Sequence, residues 1–168
     1  IDLNTGIYFA MAVSSISVIG ILMAGWGSAS KYSLLGGIRA AGQLIAYELP
    51  LVLSVVGVVI MAGTLNMKGI VAAQADFGVW FIIPQIIGFF IFMVAIQAEL
   101  TQPPFDMPVA ESELVTGYLT EYSGIRFLLF FIGEFATAAV FSAIGATLFL
   151  GGWTIPFVDA NAEIMDYI

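Results

Sequence analysis

Neither cysteine nor histidine occurs among the 168 residues. Without cysteine, no disulfide framework, thiolate metal site or iron–sulfur cluster can be built. Without histidine, imidazole-ligated haem is excluded and carboxylates are left as the main proton-titrating groups. Positive charge is nearly as scarce: Lys and Arg total four against twelve acidic residues, for a net charge of −8. That balance is the reverse of a nucleic-acid footprint. Charged residues of both signs make up only 10% of the chain, against about 25% in ordinary soluble domains. What is present instead is apolar: 61% of residues are hydrophobic and the mean hydropathy is +1.05. This is the composition of an integral membrane protein. The chain opens on Ile1 with no basic, apolar, small-residue signal pattern. A piece of a longer, processed or split protein, forming a single membrane domain over residues 1–168, is the expectation.

Apolar runs long enough to cross a bilayer, about 20 residues each, predict an all-α membrane protein with four transmembrane helices, at about 7–26, 38–62, 77–99 and 125–150. The Gly36-Gly37 pair is expected to break the helix before residue 38. Pro50 lies inside the second helix and Pro84 inside the third. The acidic tail from residue 154 reads as a connection out of the membrane. Lys31, Arg39 and Arg126 fall in the first and third connections and Lys68 in the second. The excess of cations places the third connection, residues 100–124, on the cytoplasmic or matrix side.

Two acids are expected deep in the bilayer. Glu48 lies nine residues past Arg39 and Glu134 eight past Arg126, which puts them about 13 and 12 Å along their helices. A charge at that depth costs about 2.5–3.5 kcal/mol on insertion scales, and such residues are functional by default. With Glu99 at the end of the third helix, acids extend from the loop to mid-depth, an arrangement suited to a proton relay. Either acid taken alone also reads as glue between helices, bonded to Tyr47, Gln43, serines or backbone; the two together favour the functional reading.

The loop itself concentrates acid: Glu99, Asp106, Glu111, Glu113 and Glu121 fall within residues 97–126. Pro103-Pro104 halts the third helix. Asp106 followed by Pro108 predicts the cap and first turn of a short helix over about 107–118, with Glu111 near its start, where the helix dipole favours an anion. Phe105, Met107, Leu114, Val115 and Tyr118 add apolar surface among the acids. That mixture fits an amphipathic pocket beside the bilayer or a surface packed against a soluble partner; Asp106 acting only as a cap and Glu113 only as a solvated charge also stay open.

Four segments carry a resemblance: SKYSLLGGIRAAGQLIAYELP from Ser30 to Pro50, AE at Ala98 and Glu99 with PPFDMPVAESELVTGY ending at Tyr118, TEYSGIRF from Thr120, and LFLGGW from Leu148. In order and spacing they resemble the quinone-channel membrane subunit of respiratory complex I, the proton-pumping NADH:quinone oxidoreductase; it is called the H subunit in bacteria and subunit 1 in mitochondria. The resemblance implies that the four helices match the third to sixth of an eight-helix fold. It implies a non-redox subunit of that enzyme in an energy-transducing membrane, whether bacterial or archaeal plasma membrane or mitochondrial inner membrane. The implied substrate is quinone, with FMN and iron–sulfur clusters in partner subunits of the soluble arm, small membrane subunits and lipid as neighbours, and no metal or nucleic acid.

By position, the resemblance makes Phe105, Asp106, Glu111, Glu113, Glu121, Tyr122 and Arg126 the quinone-chamber lining. It makes Glu48, Glu99, Glu111, Glu113 and Glu134 the glutamate relay, with Lys31 and Arg39 in a supporting loop. Two positions depart from the family pattern: Gln102 stands where Arg is usual, and Val109 where Glu is usual. Still open are the equivalent subunit of a ferredoxin-, deazaflavin- or plastoquinone-linked complex or of a membrane-bound hydrogenase and, more remotely, a secondary transporter or a structural anchor.

Overall fold

The computed structural model describes residues 3–154, apart from the side chains of residues 111 and 112. The acidic tail expected to leave the membrane lies outside that range. Helices α1 (Gly6–Gly27), α2 (Lys31–Ala62), α3 (Met67–Phe77), α4 (Ile86–Glu99), α5 (Glu111–Leu114) and α6 (Ile125–Phe149) follow in order, with a 3-10 turn at Gly117–Leu119 between the last two. No strand occurs among the described residues. Three helices, α1, α2 and α6, are long and apolar enough to cross a membrane, and α4 is a shorter apolar helix of 14 residues. The protein is therefore an all-α membrane protein.

The second helix does not begin at residue 38. It starts at Lys31 and runs for 32 residues, about 48 Å against a hydrocarbon core of about 30 Å. Gly36 and Gly37 do not break it; they are buried contact points. A Cβ on Gly37 would stand 3.1 Å from the Gly25 Cα of α1, and one on Gly36 would stand 2.6 Å from the Tyr118 backbone nitrogen. The pair is there because two other backbones come too close for a side chain, and small residues at such crossings let membrane helices approach. Pro50 sits inside α2 without ending it.

The third apolar run is also divided differently. The stretch expected to be a connection holds α3, whose first turn is capped by the Asn66 side chain accepting from the Lys68 and Gly69 amides. Gly78, in the left-handed conformation with φ 68°, ends it as a left-handed C-cap does. Turns carry the chain past Pro84, and α4 begins only at Ile86. Irregular backbone inside a membrane protein must be satisfied by the protein itself. Gln74 does this by accepting from the Phe81 amide at 3.1 Å and donating to the Thr147 carbonyl at 2.9 Å, while the Ile82 amide donates to Phe149 at 3.0 Å. Phe81, Phe92, Phe141 and Phe149 form the centre of the main core at this end of the bundle. Phe149 meets Phe89 and Phe92 at ring separations of 5.4 and 5.3 Å.

The short helix expected over 107–118 is reduced to the single turn of α5. Asp106 does not cap it; its carbonyl accepts from Val109 in a separate turn, and Ala110 precedes α5 with no side-chain cap. Val115, at φ 64°, ends α5. The chain then turns so that Gly117 and Tyr118 seat on Gly36.

Gly36→Val should force the loop off α2, with a stability loss of about 1–3 kcal/mol, the range for overpacking a close contact. Thermal unfolding in detergent and proteolytic cleavage within residues 100–124 would register it. An unchanged unfolding temperature and cleavage pattern would contradict the close-approach role.

Candidate functional site

The polar loop is fastened to the bundle at several points. The buried Gln43 of α2 donates from one amide nitrogen to the Ala98 carbonyl at 2.8 Å and to the Phe105 carbonyl at 2.7 Å. The Phe105 ring meets Tyr47 edge-on at 5.2 Å. Further along, the Tyr122 hydroxyl donates to the Ala24 carbonyl of α1 at 2.9 Å, and the rings of Tyr118 and Tyr122 lie against Phe130 of α6. Between these anchors, Gln97 donates to the Pro103 carbonyl at 3.0 Å and Thr101 adopts φ 50°.

Below the loop, α1 and α6 diverge around a cavity of about 530 Å³. Its walls are mainly apolar or small, with Ser14, Ser17 and Gly20 on α1 and Gly133, Thr137 and Val140 on α6. The polar groups gather at the loop end, where Glu99, Thr101, Tyr118 and Glu134 line it. No lysine or arginine is among the described lining residues. Glu134 accepts a hydrogen bond from the Gln102 side chain. One oxygen of Glu99, Oε2, is buried without a hydrogen-bond partner. Glu48 accepts from Ser15 of α1, and its charge is within reach of Glu99. Burial first, and the Glu134 charge second, push the Tyr118 phenol from 10.0 up to about 12.

Of the residues expected to form a relay, the structure brings Glu48, Glu99 and Glu134 into one neighbourhood. Glu113 stands apart, in an ion pair with Arg39 at 2.6 Å. Glu111 opens α5, and its side chain lies outside the described residues. Of the expected quinone lining, Asp106, Glu121 and Arg126 are exposed, as is Lys31 of the supporting loop, while Phe105 and Tyr122 are half-buried and hold the loop in place. Sequence reasoning gave no site role to Ser15 or Gln102, counted Tyr118 only as apolar surface of a loop pocket, and treated Gln43 only as glue. A lone amide such as Gln43 in an apolar helix is the readable signal, since polar side chains at membrane depth are rare. Tyr118 and Gln102 belong to a loop whose path over the cavity no spacing reveals.

Apolar spans with a tethered loop at one end, over half-buried carboxyls, define a polytopic membrane protein with an acidic site beneath the loop. The family model described as NADH dehydrogenase matches residues 1–167, and the chain belongs to that family. The NADH-quinone oxidoreductase H subunit of Brevibacillus brevis is 53% identical over 152 residues, 90% of this chain and 45% of that protein. The H subunit of Bacillus mycoides is 54% identical over 152 residues, again 90% and 45%. That of Phocaeicola vulgatus is 48% identical over 175 residues, 100% of this chain and 48% of the relative. The chain spans about half the length of the curated relatives it matches. This agrees with the family resemblance drawn from the loop motifs.

Two outcomes follow from the geometry. Gln43→Leu leaves the Phe105 carbonyl without its donor and the Ala98 carbonyl with the Thr101 amide alone, and should destabilise the protein by about 1–3 kcal/mol, the penalty for a buried unsatisfied group. Arg39→Ala, which breaks an exposed pair, should change stability by about 1 kcal/mol or less. Equal unfolding temperatures for the two variants would contradict this ranking. Tyr118 retains its proton where an unfolded tyrosine has lost it, so its stabilisation is full below pH 10 and is lost as pH rises towards about 12. Tyrosinate absorbance, compared with Tyr118→Phe, should show its phenol ionising last; ionisation near 10.0 would contradict the assigned environment.

Proposed function

We propose that this chain forms part of the H-type membrane subunit of a proton-pumping NADH:quinone oxidoreductase. In this reading, the loop over residues 100–124 faces the cytoplasmic or matrix side and contributes the chamber for the quinone headgroup where the soluble arm docks. The acids Glu48, Glu99 and Glu134 begin the path that carries protonation changes into the membrane arm, with Glu111 and Glu113 at the chamber end. The observation that carries this reading is the convergence of Glu99 and Glu134 on one cavity under the loop, with Glu48 within reach of Glu99.

The chain has no cysteine or histidine with which to hold a redox centre of its own. Two electrons would therefore reach quinone from an iron–sulfur cluster of a partner subunit, after FMN in the soluble arm has taken them from NADH. Reduction to quinol consumes two protons as well as two electrons, so each turnover changes the proton balance at the chamber. Carboxyls that face a shared cavity are suited to answer that change, because each can hold and release one proton. Phe105 and Tyr122, tied to α2 and α1, keep the chamber wall fixed while Asp106, Glu121 and Arg126 face outward.

The test is to replace Glu48, Glu99 and Glu134 singly by Gln in the assembled complex. Electron transfer from NADH to a soluble acceptor should be unchanged. Quinone reduction coupled to proton translocation should fall by at least about 100-fold, the lower bound for removing a proton-transfer group. Wild-type coupled turnover in all three variants would overturn the relay. Normal quinone turnover after Glu111, Glu113 and Glu121 are replaced together would indicate an anchor for the soluble arm instead of a chamber wall.

A further inference from the structure

We propose that Gln102 is a positioning residue for Glu134, holding its carboxyl at the loop end of the cavity in both the ionised and the protonated state. The inference rests on the reading of Glu134 as a proton-relay site. The side-chain amide of Gln102 donates from Nε2 to Glu134 Oε1, a contact that joins the segment after α4 to the middle of α6. The placement of Gln102 is built into the backbone. Its own N–H donates to the Gln97 carbonyl at 3.2 Å, its carbonyl accepts from the Phe105 amide at 2.8 Å, and Thr101 before it turns the chain at φ 50°. The Gln43 bonds to Ala98 and Phe105 bracket the same segment.

The surroundings of Glu134 explain why an amide is suited to this position. Tyr118 of the 3-10 turn and Glu99 of α4 line the same cavity end, and Glu48 of α2 stands behind Glu99. From α1 the facing groups are the hydroxyls of Ser14 and Ser17, and from α6 itself the hydroxyl of Thr137. None of these is a cation. A lysine or arginine partner could donate only, and its fixed charge would favour the ionised form of Glu134. A glutamine amide carries two donor hydrogens on Nε2 and an acceptor on Oε1. Turned by half a revolution about its last torsion, it accepts from the protonated carboxyl through the same contact. Glu134 Oε1 is the oxygen that gains and loses the proton at this contact. The carboxyl thus stays in one place while its charge changes, with only the amide turning.

The experiment uses the assembled complex carrying Gln102→Ala, Gln102→Arg or Gln102→Glu. The readouts are the infrared carboxyl band assigned to Glu134 by its loss in Glu134→Gln, and the pH profile of quinone reduction. In Gln102→Ala the band should shift and broaden, and kcat should fall by about ten- to a hundredfold without a rise in KM, as expected for a misplaced reacting group. In Gln102→Arg the protonated-carboxyl band should persist only at lower pH than in wild type, and the pH profile of quinone reduction should move with it. In Gln102→Glu, whose side chain donates only when protonated, turnover should return as pH is lowered. An unmoved Glu134 band and pH profile in both the Ala and Arg variants would overturn the proposal, as would loss of turnover in Gln102→Glu that does not recover at low pH while the complex stays assembled. If Glu134→Gln alone leaves coupled turnover intact, the relay reading fails; the band shift in Gln102→Ala then decides the positioning role on its own.

Discussion

One buried amide nitrogen holds the two halves of the site together. Gln43 stands on α2 among apolar neighbours and donates to a carbonyl at the end of α4 and to another in the loop. Between those two acceptors lie Glu99, Thr101 and Gln102, the residues that form the loop side of the cavity's polar end or reach across it to α6. Remove the amide, and the segment between Ala98 and Phe105 keeps only the Phe105–Tyr47 ring contact to α2. The anchors further along, Tyr122 on α1 and Gly117 with Tyr118 on Gly36, position the far end of the loop. They cannot fix the turn that brings Gln102 to Glu134.

A neutral amide recurs at several places where the backbone leaves helical geometry. Gln74 satisfies the turn before α4, Asn66 caps α3, and Gln97 ties down Pro103. In lipid, a backbone group without a partner has no water to turn to. A charged side chain could serve as partner, but carries an insertion cost of about 2.5–3.5 kcal/mol. A glutamine, with donors and an acceptor on a flexible stem, meets the same need without a charge. This choice accounts for a chain so poor in charge that still runs irregular backbone between its apolar helices.

How much of this was readable in the sequence depends on whether the deciding contact was local. The helices α1 and α6 could be placed to within a residue or so of 7–26 and 125–150, because uninterrupted apolar length is a property of the run itself. The glycine pair was misread because the partners that make it useful, Gly25 and Gly117, lie elsewhere in the chain. Residues 63–85 were misdivided because hydropathy is blind to the left-handed turn at Gly78 and to the Gln74 bridge that stabilises the turns leading into α4. The acids at depth were legible as Glu48 and Glu134, since isolated charge in an apolar run stands out. Ser15 was not: it is an ordinary residue in a sequence, and becomes part of the site only through the packing of α1 on α2. Gln102 stood out only as a departure from the family pattern.

The distribution of cations separates two kinds of acid. At the surface, Glu113 has Arg39 as a direct partner, and Asp106 and Glu121 have water. Around the cavity, Glu99 and Glu134 have neither a described cation nor free access to bulk water on every side; Gln102 and hydroxyls are what they meet. Attraction to a fixed positive charge would hold an acid in one ionisation state through a whole cycle. An acid met only by neutral dipoles is free of that constraint, and the counter-ion small enough to reach it is a proton. The loop and the cavity below it thus differ in chemical task even though both are acidic. On the proposed reading, the loop's charges would orient and dock a partner, and the cavity's carboxyls, met by neutral side chains, would be the ones whose charge changes.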